Sequence, residues 1–278
     1  MSRRGILLAV DLSYQVYRAA ASHSNLTSAD GLFTGGLYGF LVSLAKAIRV
    51  TNATRAVVCL DLKPYKRSLL YPEYKQLRQK SSDPELKAKF DTSRAQVLAA
   101  LVVIGIPLLG VPGYESDDII AHLVRQHRHR FEAIYAASND SDLFQLFTCP
   151  WFRMYHKDDA VMDGAKLFQA TGLTPEQHSL ATALMGTHND VAGIPGVGEK
   201  TAIKAVKDPG LLRTYRERHN NLIERNLRLV RLPYDGFPRD VNVPAMGSFK
   251  HRLLYKFCDQ FDIAVTGYML DAFEKVCP

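Results

Sequence analysis

A chain of 278 residues with 47% hydrophobic and 23% charged side chains can build one large or two modest globular domains, which excludes a disordered tail or linker. Lys and Arg total 35 against 28 Asp and Glu, so a formal net charge of +7 favours a polyanionic partner, nucleic acid ahead of a membrane surface. Cys59, Cys149, Cys258 and Cys277 lack any C-x-x-C or His spacing, no apolar run spans a bilayer, and Asp11 interrupts the N-terminal run too early for a signal peptide; a reducing, cytoplasmic location is expected, without zinc, disulfides or membrane.

Residues 6–10 form a short continuous apolar run, the pattern of a strand buried on both faces of a parallel sheet, and Asp11 follows directly. Leu37 to Ile48 carries apolar residues at helical spacing. A second apolar run, 56–60, ends at Asp61. Residues 63–89 then mix Lys and Arg with Tyr65, Tyr71 and Tyr74, which suits a strand-threading surface where cations meet phosphate and rings stack on bases; a solvated helix face is the plainer alternative. Arg94 to Val103 predicts another helix. Glu115-Ser116-Asp117-Asp118 opens a helix over Ile119 to Arg125, and His127-Arg128-His129-Arg130 reads as a basic helix end complementing its dipole. A third run, 133–137, leads into Ser138, Asn139 and Asp140, with Asp142 two residues on.

This alternation is the signature of an α/β domain, assigned to residues 1–165. Residues 166–278 read as helices joined by turns. Asp163 caps the helix carrying Leu167 and Phe168, and Thr174-Pro175-Glu176-Gln177 has the form of a capping box with Pro at the first helical position.

In open parallel α/β sheets ligands gather at the carboxyl ends of the strands, and here three strand ends each deliver an aspartate to that edge. Glu115, Asp117, Asp118 and Asp142 bring the total to seven carboxylates, which repel one another unless cations neutralise them. A lone Asp after a strand is more often a turn former or helix cap. Seven together imply a metal site, and hard oxygen donors without His or Cys select Mg²⁺ or Mn²⁺ over zinc. In a basic chain, the surrounding cations can hold a phosphate backbone while metals act on one bond.

The segment Gly193-Ile194-Pro195-Gly196-Val197-Gly198-Glu199-Lys200-Thr201 fails the P-loop template, because Glu199 separates Gly198 from Lys200 and helices rather than a strand precede it. It reads as a helical hairpin whose tight glycine turn lets backbone N–H groups approach a phosphate, with a plain structural turn as the alternative.

Together these residues resemble the 5′ nucleases: the 5′ to 3′ exonuclease domain of bacterial DNA polymerase I and its free-standing bacterial and phage relatives, the flap endonucleases. The shared stretches are Val10-Asp11 with Tyr17-Arg18; Tyr38-Gly39-Phe40; Asp61 with Arg67, Tyr71, Tyr74-Lys75 and Arg78; Gly113 to Asp118; Ser138 to Leu146; and Gly193 to Ala202. The resemblance implies an α/β fold with a PIN-like parallel sheet flanked by helices, a helical arch near residues 63–95, and a C-terminal helix-three-turn-helix DNA-binding region containing the hairpin 193–202. It implies a tighter Mg²⁺ site from Asp11, Asp61, Glu115, Asp117 and Asp118, and a second from Asp140 and Asp142, with Mn²⁺ as a substitute and K⁺ at the glycine hairpin. Lys75 and Arg78 are implied at the scissile phosphate, and Arg18, Arg67, Tyr74, Gly193, Gly196, Gly198, Lys200 and Thr201 as DNA contacts.

One segment departs from the pattern. Where the family has Gly-Asp-x-x-Asp-Asn, this chain reads Gly186-Thr187-His188-Asn189-Asp190-Val191, so Thr187 stands for the first acid and Asp190, or Asn189 in a shifted alignment, for the second. A weak second site and a high metal demand are expected. The implied activity is hydrolysis of branched or 5′-ended DNA by a monomer in replication or repair. Competing readings are a nuclease removing RNA primers from RNA:DNA hybrids, a non-catalytic branched-DNA-binding protein and, more remotely, a Mg²⁺-dependent phosphatase.

Overall fold

The computed structural model describes residues 4–76, 83–155, 160–187 and 191–278. Arg78 and Asp190, two of the expected site residues, lie outside the described residues. The first strand, β1 (Gly5–Asp11), leads into α1 (Leu12–Ser22) and α2 (Gly35–Thr51), then β2 (Arg55–Leu60), the short α3 (Arg67–Leu70), α4 (Pro84–Ile104) and β3 (Leu108–Gly110). The chain continues through α5 (Ser116–Gln126), β4 (Phe131–Ala137), a 3₁₀ helix (Ser141–Thr148), β5 (Phe152–Tyr155) and β6 (Val161–Met162).

These strands form one sheet in the order β3-β2-β1-β4-β5-β6, parallel throughout except for β6. The order reverses at β1: the chain builds outward through β2 and β3 on one side and through β4 and β5 on the other. That reversal opens a crevice beyond the carboxyl end of β1, the place where such sheets take ligands. Both faces of β1 are covered because its residues alternate. Leu8 and Val10 join α1, α2 and α4 in one core, while Leu7 and Ala9 join α5 and the 3₁₀ helix in another.

The second region comprises α6 (Gly164–Thr171), α7 (Pro175–Met185), the two-residue strands β7 (Gly186–Thr187) and β8 (Val191–Ala192), α8 (Glu199–Lys207) and α9 (Pro209–Val230). Asp163 caps α6 by accepting from the Lys166 N–H, and Thr174 and Gln177 form the capping box of α7. Leu184, Ile194, Ala202, Ala205 and Ile223 give this region a core of its own.

The expected boundary at residue 165 needs one correction. After α9 an extended strap, residues 231–250, crosses back over the α/β body, and α10 (His251–Asp259) and α11 (Gly267–Val276) pack against it. Leu254, Cys258, Met269 and Phe273 sit in the same apolar cluster as Leu8 and Val10. The last helices therefore complete the α/β body, because their apolar faces match α2 and α4 rather than the 164–230 unit.

Candidate metal centre

Four chain segments meet at the carboxyl edge of the sheet. Asp11 ends β1 and caps α1, its Oδ1 accepting from the Tyr14 N–H at 3.1 Å and its Oδ2 from the Ser138 hydroxyl at 3.3 Å. Asp61 follows β2, where Oδ2 accepts from the Ser13 hydroxyl at 2.5 Å and Oδ1 from the Ser116 N–H at 3.0 Å. Glu115 and Asp117 open α5 after β3, and Asp140 follows β4 and caps the 3₁₀ helix through the Asp142 N–H at 2.9 Å. The N-termini of α1 and α5 add partial positive charge at this edge, though far less than the carboxylates contribute in negative charge.

These carboxylates raise one another's proton affinity. Burial, then the charges of Asp140, Asp11 and Asp61, raise Asp117 well above the carboxyl range. Burial and Asp61 push Asp11 up to about 7, and burial and Asp140 do the same to Asp142. Asp117 Oδ1 is buried with no hydrogen-bond partner. A hard divalent cation fits this donor set: it supplies the missing partner and removes the repulsion. The described residues do not form a ready-made cage, however, as no three acidic, His or Cys side chains converge on one point.

Glu115 shows why. Its Oε1 lies 2.6 Å from Lys75 Nζ, and its Oε2 accepts from the Tyr74 hydroxyl at 2.9 Å and lies 3.2 Å from Arg67 Nη1. Burial works against the charge on Lys75, but Glu115 outweighs it and keeps the ammonium protonated. Lys75, with φ of 58°, thus stands where a cation beside Glu115 would compete with it.

Two expected residues face elsewhere. Asp118 is fully buried and forms a bidentate pair with Arg67, which is itself 2% exposed. Arg67 therefore presents no donor to solvent DNA, and Asp118 is turned toward Arg67 and the Tyr234 N–H of the strap instead of the cluster. His127, expected as a charged helix end, donates from Nε2 toward the Val241 carbonyl, and burial lowers its pKa.

At the glycine segment the expected residues split into two kinds. A Cβ on Gly193 would come within 2.1 Å of the Met185 carbonyl carbon, so this glycine serves close backbone packing. Gly196, with φ of +78°, and Gly198 have open space around them, Lys200 is exposed and Thr201 half-buried in the first turn of α8. The Thr187 hydroxyl accepts from the Val191 N–H at 3.0 Å. Arg18 lies half-buried on α1, its charge felt by Tyr14.

Sequence patterns missed three residues that hold this geometry. Ser13 binds Asp61, Gln145 brackets the end of α9 through the Val230 carbonyl and the Leu232 N–H, and buried Asn226 ties Ala183 to Ala192. Gln145 stood in the run shared with the 5′ nucleases; Ser13 and Asn226 carried no signal. No helix among the described residues is long and apolar enough to cross a membrane.

Comparison with known proteins agrees with this architecture. A 5′-3′ exonuclease of Aquifex aeolicus is 34% identical over 206 residues, covering 73% of this chain and 70% of that one. The thermostable DNA polymerase I of Thermus thermophilus is 30% identical over 227 residues, 81% of this chain but only 26% of the polymerase. A bacteriophage T5 flap endonuclease, solved as a complex with DNA and metal ions, shares the fold with a TM-score of 0.67 at 19% identity, covering 97% of this chain and 99% of its own. The family described as 5′-3′ exonuclease, N-terminal resolvase-like domain, matches residues 6–172, the stretch that holds the whole carboxylate edge, and this chain belongs to that family.

Proposed function

We propose that the chain is a divalent-metal-dependent 5′ nuclease that hydrolyses phosphodiester bonds of branched or 5′-ended DNA, with both exonuclease and flap-cutting action. The observation that carries this is the crowded carboxylate edge at the switch point of the sheet, with Asp117 Oδ1 buried and unpartnered. Asp11, Asp61, Glu115 and Asp117 are assigned to a tighter Mg²⁺ site, and Asp140, Asp142 and Asp190 to a second, weaker one. Bound divalent cations supply the Lewis acidity and the activated water for an in-line displacement, so no Ser, Cys or His nucleophile is needed.

The side chains of this chain do the rest. Asp11 and Asp61, fixed by the Tyr14 and Ser116 N–H groups, are oriented before any ligand arrives. Lys75 can leave Glu115 and meet the scissile phosphate, and Tyr65 and Tyr74, whose rings meet edge-on 6.3 Å apart, offer faces for an unpaired base. Open backbone at Gly196 and Gly198, with exposed Lys200 at the start of α8, forms a phosphate-binding turn for the duplex, the role of a helix-three-turn-helix element. With a neutral Thr187 where the family has an acid, cleavage is expected to saturate at millimolar rather than micromolar Mg²⁺.

The deciding assay is cleavage of a 5′-flap DNA labelled at either end, with Mg²⁺ and with EDTA, using the parent and Asp117→Asn. Metal-dependent cuts near the junction that vanish in the variant support the proposal. Tight flap binding without any cut would instead mark a DNA-binding protein, and a parallel RNA flap reads out any preference for hybrids.

A further inference from the structure

Asp118 and Arg67 adjoin the carboxylate edge but spend their polar atoms elsewhere. Asp118 Oδ2 accepts from Arg67 Nη1 at 2.6 Å and from the Glu115 N–H at 3.0 Å, and Oδ1 accepts from Arg67 Nη2 at 2.8 Å and from the Tyr234 N–H at 2.7 Å. A carboxylate has about four acceptor positions, and all are taken. Arg67 is as fully used. Its Nε donates to the Leu229 carbonyl at 2.8 Å and its Nη2 to the Arg231 carbonyl at 3.2 Å, at the end of α9 where carbonyls run out of helical partners. One ion pair thus joins α3, the start of α5 and the exit of α9.

The pair also bears on Glu115. Arg67 Nη1 is shared, 2.6 Å from Asp118 and 3.2 Å from Glu115, so Asp118 holds the guanidinium back from a full pair with its neighbour. We propose that Asp118 and Arg67 are positioning residues, neither a metal ligand nor a phosphate contact, and that their pairing leaves Glu115 able to receive the cation. This rests on the proposed metal role of Glu115.

Stranding one member of a buried pair is far worse than removing both. Asp118→Asn alone releases Arg67 onto Glu115, where it competes with a metal ion. Asp118→Asn combined with Arg67→Gln removes one charge of each sign, and the new amides can still donate to the α9 carbonyls and accept from the Tyr234 N–H. A metal ligand, by contrast, cannot be restored by changing Arg67.

The test is calorimetric titration of the full chain with Mn²⁺, with Tm measured in EDTA. Asp118→Asn is expected to weaken Mn²⁺ binding by about tenfold and to lower Tm. The double variant is expected to return the affinity to within about threefold of the parent and to recover part of the Tm. A folded double variant that binds Mn²⁺ as weakly as Asp117→Asn overturns the proposal. A double variant that unfolds while Arg67→Gln alone folds overturns it too, since removing both charges would then cost more than stranding one. If Asp118→Asn does not fold by itself, the double variant still decides. Equal Mn²⁺ binding by the parent and Asp117→Asn would sink the metal reading itself, and is told apart because Arg67 and Asp118 are intact in both.

Discussion

The carboxylate edge and the Arg67 joint meet on α5, and the adjacent residues Asp117 and Asp118 belong one to each. Consecutive helix positions point about 100° apart, so Asp117 faces the cluster while Asp118 faces Arg67 and the strap at Tyr234. Asp118 is met by a guanidinium and two backbone donors. Asp117 instead feels the charges of Asp140, Asp11 and Asp61 and keeps one buried oxygen without a partner. A buried charge is tolerable when paired and costly when it faces its own kind. Burial by itself therefore does not distinguish a ligand from a strut; what surrounds the carboxylate does.

Asp117→Asn tests that contrast with the largest expected effect. Cleavage of a 5′ flap should fall on the order of a thousandfold, equivalent to several kcal/mol of transition-state stabilisation. In EDTA the same variant should melt higher than the parent, because an amide does not repel Asp140, Asp11 and Asp61. Normal cutting, or a lower Tm in EDTA, would break the contrast. Lys75→Ala comes next, with a loss on the order of a hundredfold in cleavage rate. Since it also frees Glu115 Oε1, Mn²⁺ should bind the variant more tightly; weaker binding would show that Lys75 does not compete for that carboxylate.

Change of pH separates the two regions without a substitution. Burial and carboxylate neighbours raise Asp11 and Asp142 to about 7, so each holds a proton in the metal-free folded chain that it releases on unfolding. Their contribution to stability is complete below the ordinary carboxyl range and is lost as pH rises through about 7. Saturating Mg²⁺ removes the penalty, so the gap in Tm between Mg²⁺ and EDTA should widen from about pH 5 to about pH 8. Metal affinity should weaken by up to about tenfold per pH unit below that range for each proton displaced. A gap that narrows instead would mean that the cluster is neutralised by the chain itself, as Asp118 is.

Much of this was legible in the residues. The strands at β1, β2 and β4 announced themselves as apolar runs ending in aspartate, and that pattern alone placed Asp11, Asp61 and Asp140 on one edge. What stayed hidden depends on partners distant in sequence. Nothing local to Asp118 shows that the Tyr234 N–H will lie against it, and nothing local to Arg67 distinguishes an interior clamp from a DNA contact. The strap 231–250 has no periodicity to read, and it carries α10 and α11 back to a core begun near the N-terminus. Their apolar faces were visible, but not which body they would cover.

Lys200 supplies the smallest expected effect and a third way for this chain to handle charge. It is exposed, near the N-terminus of α8, in a region with its own apolar core. Among the described residues no carboxylate pairs with it as Asp118 pairs with Arg67, and unlike Lys75 it does not sit on a proposed metal ligand. Its counter-charge in the proposed reading is a duplex phosphate, and such a contact releases condensed counterions. Lys200→Ala should therefore weaken binding of flap DNA several-fold, uniformly across sequences, and reduce the magnitude of the log–log salt slope by about one. Mn²⁺ affinity and Tm should not move, because neither the carboxylate edge nor a core contact is touched. If the salt slope is unchanged, the glycine segment is a structural turn, and the positive surface that holds the duplex has to be sought along the strap or on α9.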